Sequence, residues 1–214
     1  VMSELLKISP GPPDVAVEVV GRRSEGGLIV EDLAWMSLDR QRVTAFLIRP
    51  DDKRRLPAVI CLHGTGGSRE SETGREYGPG VWTTPGAGKP HMRMLGWARE
   101  LARRGFVTLA LTQRGLDRRA PPDTNDQAKD LLVRGRTLMG AIVHEIRQAV
   151  TYLERRDDIE RGRIGIAGMS FGGITAFYTW LVDARVWALS SICGGVGSVD
   201  GVLPSGPAAF HDFY

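Results

Sequence analysis

The order of apolar patterns predicts an α/β fold, a mostly parallel central sheet with helices on both faces and an antiparallel ribbon at its N-terminal side. Three observations carry that expectation. Four short runs are continuously apolar, as strands buried on both faces are: Ala58 to Leu62, Phe106 to Leu111, Ile164 to Ala167 and Val186 to Cys193. Between them lie helical stretches, the clearest running from Arg136 to Arg155. There Leu138, Ile142, Ile146, Ala149 and Leu153 recur at steps of four, four, three and four and make one apolar stripe. Upstream, Val15 to Val20 and Leu28 to Leu38 are alternating and β-branched, and Gly21, Gly26 and Gly27 between them suggest a hairpin.

The remaining elements follow in order. Arg42 to Ile48 is a further strand, closed by Pro50 and the charged loop Asp51 to Arg55. Met94 to Arg104 and Gly173 to Val182 are helical. Regular alternation of strand and helix places the helices on both sides of the sheet. At 214 residues, with no internal repeat or low-complexity linker, one domain spanning 1–214 is expected.

Composition excludes several classes. Apolar content of 42% and charged content of 25% are those of a globular chain. The net charge of +3 is small, and the arginine pairs 22–23, 54–55, 103–104, 118–119 and 155–156 are scattered, which suggests solvated surface and no nucleic-acid partner. Neither a signal-peptide core over Val1 to Pro13 nor a run of about 18 apolar residues is present, so no membrane partner and a cytoplasmic location are the expectation. A signal already removed would leave the same pattern. Cys61 and Cys193 both lie in apolar runs and are expected in the core, with a disulfide between them left open. Histidines 63, 91, 144 and 211 show no paired spacing, so no metal site is expected. Gly86-Ala87-Gly88-Lys89-Pro90 imitates a phosphate loop but has Thr83 where the first glycine belongs and Pro90 where Ser or Thr holds magnesium.

Two motifs carry chemistry. Arg163 to Gly173 runs from a short strand through Gly168-Met169-Ser170-Phe171-Gly172 into a helix. A serine hydroxyl attacks only if it projects clear of the backbone, and a sharp strained turn between strand and helix does that. Gly168 and Gly172 are then required because the strand and helix pass too closely for a Cβ. The second motif, Cys61-Leu62-His63-Gly64-Thr65-Gly66-Gly67-Ser68, directly follows the first buried strand. Its glycines permit a tight turn with exposed amides, suited to an oxyanion hole formed by the N–H groups of Thr65 and Phe171. His63 is expected to pin this loop by a ring hydrogen bond and not to act as base.

With His63-Gly64-Thr65-Gly66-Gly67, the Gly-x-Ser-x-Gly turn, and the long helix leading through Asp157-Asp158-Ile159 to Arg163, residues 28–213 resemble the α/β-hydrolase superfamily. The likeness is to its dienelactone hydrolase and acetyl xylan esterase branches. The resemblance implies a serine carboxylic-ester hydrolase that acts on short-acyl esters through an acyl-enzyme on Ser170, without a cofactor. A lactonase or a serine peptidase would show the same two motifs.

That family also requires an acid and then a histidine after the nucleophile, and only 44 residues follow Ser170. Asp183 is expected at the surface, whereas Asp200 and His211 keep the right order for a triad with Ser170. Tyr77 and Trp82, in the long loop Ser68 to Pro90, either line a substrate pocket or pack the loop onto the body. Arg114 either faces the site or forms a structural ion pair. The family's last strands are expected to be missing, which makes Val186 to Cys193 an open edge. The chain is then incomplete at its C-terminus, in which case the acid and histidine are expected beyond Tyr214 and His211 is not the base, or it covers that edge with another copy as a homo-oligomer. A catalytically incompetent binding or assembly module is the alternative from another class.

Overall fold

A computed structural model describes residues 2–65, 96–116, 119 and 124–194. The strands are β1 (Glu18–Glu25), β2 (Leu28–Met36), β3 (Arg42–Pro50), β4 (Leu56–Leu62), β5 (Val107–Leu111), β6 (Ile159–Met169) and β7 (Val186–Ile192). The helices are α1 (Met2–Leu5), α2 (Trp97–Arg103), α3 (Thr124–Val133), α4 (Leu138–Glu154) and α5 (Phe171–Val182). All seven strands form one sheet in the order β1-β2-β3-β5-β4-β6-β7. The ribbon from β1 through β3 to β5 is antiparallel, and β5, β4, β6 and β7 run parallel.

Local chemistry explains the joints. Gly26 and Gly27, with φ of 57 and 77, form the two-residue turn between β1 and β2, a geometry that follows strand twist and favours residues without Cβ. Gly21 is not part of that turn. It sits inside β1, where the register shifts between Val19 and Gly21. Thr137 caps α4, its Oγ1 accepting the Gly140 N–H at 2.9 Å.

Pleating sorts the core onto two faces. Val43, Ala45 and Leu47 of β3, with Ala58, Ile60 and Leu62 of β4, join the large cluster that contains Ile142 and Ile146 of α4 and Ala176 of α5. Phe46 and Ile48 point the other way, to Ala102 of α2, and Cys61 meets Ala98 there. The whole predicted stripe of α4 is buried, from Leu138 at 9% exposure to Leu153 at 0%.

Several expectations need correction. Neither α1 nor α3 was anticipated. On β7, Trp187, Ala188, Ser190 and Ile192 are exposed, because among the described residues this strand pairs only with β6. Just beyond it, Cys193 is exposed with φ 52, while Cys61 is fully buried, and no disulfide joins the two. The arginine pairs are not all solvated. Arg156 binds Glu31 and Asp158 and lies over the Tyr152 ring, and Arg119 is buried. No helix among the described residues is long and apolar enough to cross a membrane.

The polar face of α4 is buried as well, and two sets of partners explain it. Glu145, with no exposed surface, accepts Arg114 Nε at 3.0 Å and Arg119 Nη1 at 2.6 Å, and Arg114 also binds Asp39. Burial raises the Asp39 carboxyl, but the Arg114 hydrogen bond and charge outweigh it and hold it below the usual range. Farther along α4, side chains hold the N-terminal arm, whose prolines remove backbone donors. Arg147 donates to Ser9 O at 3.0 Å, Thr151 to Pro13 O at 2.9 Å and Gln148 to Asp14 O at 3.2 Å.

Glu145→Ala would leave two buried guanidinium groups without their shared carboxylate, so a loss of about 3–5 kcal/mol is expected from urea unfolding. Glu160→Ala, which removes an exposed pair with Arg163, should cost less than about 1 kcal/mol. Equal effects of the two substitutions would show that the Arg114–Glu145–Arg119 cluster does not anchor α4.

Candidate active site

Where β6 turns into α5, Ser170 adopts φ 54 and ψ −122. Such a conformation costs a residue with a Cβ about 1–3 kcal/mol and persists only where the surroundings hold it. Here its N–H donates to Ile192 O at 2.7 Å, and its carbonyl accepts the N–H of Gly173 at 2.8 Å in the first turn of α5. The serine side chain does not cap that helix, and its hydroxyl makes no hydrogen bond to a described residue. It is left half-buried and chemically unspent.

Backbone crowding explains the glycines. A Cβ on Gly168 would overlap the Gly172 carbonyl, which is the predicted clash of incoming strand with outgoing helix. Gly172 has a different neighbour from the predicted one, since a Cβ there would overlap the Leu62 and His63 carbonyl oxygens at the end of β4. Gly64 completes the contact: its Cβ would lie 3.3 Å from the Ser170 Cβ and 3.2 Å from Met169 O. The turn after β4 therefore runs against the serine, and Thr65 and Phe171 flank the site in sequence, the first exposed and the second buried.

His63 is fully buried, and both ring nitrogens are occupied. Nε2 accepts the Gln113 N–H at 3.0 Å, so Nδ1 carries the proton and donates to Gly64 O at 2.9 Å. Gln113 in turn donates its Nε2 to His63 O at 2.7 Å and accepts the Thr175 hydroxyl at 2.7 Å. One network thus ties the ends of β4 and β5 to α5 beneath the turn at Gly64. His63 braces the loop, as its sequence position suggested.

Of the other candidates, Arg114 is a structural ion-pair member, bound to Glu145 and Asp39. Asp183 is a correction: it is 4% exposed at the end of α5 and bound to Arg147 and Arg185, which outweigh burial and keep its carboxyl low. Tyr77, Trp82, Asp200 and His211 lie outside the described residues, as do Gly66, Gly67 and Ser68. Sequence reasoning missed Gln113 and Thr175. A signal for Gln113 existed, because Thr112-Gln113-Arg114 is the first polar run past the carboxyl end of a buried parallel strand, where sites collect.

Gly172→Ala is expected to destabilise by at least about 1–3 kcal/mol through overpacking. Gly165→Ala, whose Cβ would meet nothing nearer than 3.6 Å, should be neutral or stabilising by up to about 1 kcal/mol. Unfolding midpoints in urea compare the two, and a neutral Gly172→Ala would contradict the crowding.

Comparison with known proteins bears on the fold. Residues 88–192 match the dienelactone hydrolase family. The sequence is 24% identical over 193 residues to YtaP of Bacillus subtilis (strain 168), whose naming as a hydrolase is itself provisional, covering 90% of this chain and 62% of that protein. A structure from Bacteroides fragilis NCTC 9343, provisionally an acetyl xylan esterase, superposes with a TM-score of 0.71 at 21% identity, over 88% of this chain and 49% of its own. The glucuronoyl esterase of Solibacter usitatus gives 0.62 at 18% identity, over 89% and 57%. The chain therefore spans between 49% and 62% of the length of these proteins. By its seven-stranded sheet and its likeness to these structures, the chain has the α/β-hydrolase fold, and its residues 88–192 are similar to the dienelactone hydrolase family.

Proposed function

We propose that the chain supplies the nucleophile and oxyanion hole of a serine hydrolase for small carboxylic esters. The observation that carries this reading is Ser170, held at φ 54 in a Gly-x-Ser-x-Gly turn that runs against Gly64. In this mechanism a base takes the hydroxyl proton as Ser170 Oγ attacks the ester carbonyl. The tetrahedral oxyanion is received by the N–H groups of Thr65 and Phe171, each such donor contributing about 3 kcal/mol to transition-state stabilisation. Collapse breaks the bond to the alcohol, which leaves with the proton from the base. Water activated by the same base then attacks the acyl-serine and releases the acid.

Within this chain His211 is the base of the proposal, with Asp200 as the acid that orients it. Tyr77 and Trp82 are the proposed pocket residues. A short acyl group follows the acetyl xylan esterase likeness, whereas the glucuronoyl esterase likeness points to a larger acid. Lactones and activated amides would enter the same acyl-transfer chemistry. A binding module without turnover is the competing reading, favoured by one fact: no described side chain hydrogen-bonds the Ser170 hydroxyl.

A p-nitrophenyl ester series of rising acyl length decides between them. Acetate turnover is expected, lost by about 10³-fold or more in Ser170→Ala and in His211→Ala. Equal turnover by Ser170→Ala would remove the serine as nucleophile, and absence of turnover with every acyl length would favour the binding module. Preserved activity in His211→Ala would reassign the base.

A further inference from the structure

On the face of α4 toward the N-terminal arm lies a cleft that the hydrolase chemistry does not use. Its outer lobe, about 410 Å³, runs between the arm at Ser9–Asp14 and the end of β2, and includes Pro12, Met36 and Leu38. Its inner lobe, about 50 Å³, is reached past Ser9, Ser37, Leu38 and His144, which line both, and ends at Lys7, Arg136 and the Asp39–Arg114 pair. Ser170, Thr65 and Phe171 line neither lobe.

Two features of this cleft are unusual for a passive crevice. His144 is 6% exposed, lines both lobes, and has no hydrogen-bond partner among the described residues. Its ring nitrogens are not sealed inside the protein but reach the cleft, where a ligand can bond them. Burial, together with Arg147, Arg136 and Arg114, outweighs Glu145 and lowers the His144 pKa, so the ring is neutral near pH 7 and offers one donor and one acceptor.

The second feature is charge. Asp39 is bound to Arg114, Asp14 to Arg155, and Arg147 to Asp183, whereas the side chains of Lys7 and Arg136 have no ion-pair partner among the described residues. The inner lobe thus carries two cations that make no close ion pair with a described residue, exposed Lys7 and Arg136, which acts on Asp39 only at longer range, beside a neutral imidazole. Its volume suits one small anionic group, since a water occupies about 30 Å³. The outer lobe differs in character: Met36 and Leu38 are large apolar side chains more than half exposed, at 54% and 56%, beside the ring of Pro12.

We propose that this cleft binds a small amphipathic monocarboxylate, its carboxylate held by Lys7, Arg136 and His144 and its aliphatic chain lying along Pro12, Met36 and Leu38. The cations supply charge-assisted hydrogen bonds and His144 supplies a directional N–H. The apolar wall sets the preference for a chain over a bare anion. The site is independent of the ester reading, because it shares no residue with Ser170 and its two amides.

Titration calorimetry with sodium hexanoate, hexanamide and inorganic phosphate tests the site. Saturable one-to-one hexanoate binding is expected, at least tenfold weaker for hexanamide and for phosphate. The double variant Lys7→Ala/Arg136→Ala should weaken hexanoate by tenfold or more. Neither side chain makes a close ion pair with a described residue, so this variant should keep the wild-type circular dichroism and unfolding midpoint. Ser170→Ala should leave hexanoate affinity unchanged. Absence of saturable hexanoate binding, or affinity indifferent to the double variant, would overturn the proposal. Phosphate binding as tight as hexanoate would overturn its apolar half, and loss of binding in Ser170→Ala would move the ligand to the catalytic turn.

Discussion

Backbone packed on backbone, at the carboxyl ends of β4 and β6, is the constraint on which the rest of the site depends. Gly64, Gly168 and Gly172 each face a neighbouring segment at a distance that leaves little or no room for a Cβ. With the ends of β4 and β6 and the start of α5 brought so close, the residue that connects strand to helix cannot relax into an ordinary helical or extended conformation. Ser170 takes φ 54 as a result. Its side chain is kept out of the first turn of α5, where a serine before a helix would normally cap free N–H groups. Strain at one residue and an unspent hydroxyl are therefore two consequences of the same crowding.

Polar groups beneath that crowding keep it from loosening. His63, Gln113 and Thr175 connect β4, β5 and α5 through bonds of 2.7 to 3.0 Å, so the glycine turn is braced from below. The next residue, Arg114, enters a second buried cluster with Glu145 and Asp39 that fixes α4 and the turn between β2 and β3. Adjacent residues of one short segment thus hold the serine turn on one side and the wall of the arm cleft on the other. Buried ionic clusters of this kind contribute little net stability against an apolar alternative, but they penalise misplacement of either helix or loop heavily.

Periodicity made most of the frame legible. The stripe on α4, the apolar runs of β4, β5 and β6, and the glycine hairpin all depend on local spacing, and each is where the pattern placed it. The two motifs were also readable, because a serine between close-packed glycines and a histidine before a glycine turn have local steric meanings. What failed depended on partners distant in sequence. Asp183 reads as surface until Arg147 and Arg185 close over it, and Arg119 and Arg156 read as solvated until Glu145, Glu31 and Asp158 are brought to them. The apolar run of β7 has the pattern of a strand buried on both faces, but burial depends on what flanks it, and four of its seven residues are exposed. Nothing in local spacing marked the arm against α4, since its bonds run from side chains to carbonyls across more than 130 residues.

If this geometry makes Ser170 a nucleophile, then reactivity belongs to the folded turn and not to the residue. Reaction with a fluorophosphonate, followed by peptide mapping, measures that directly. The account predicts stoichiometric modification confined to Ser170 in the folded protein, at a rate far above that of the same protein unfolded in urea. Labelling at equal rates in the two states, or labelling spread over other serines, would contradict it.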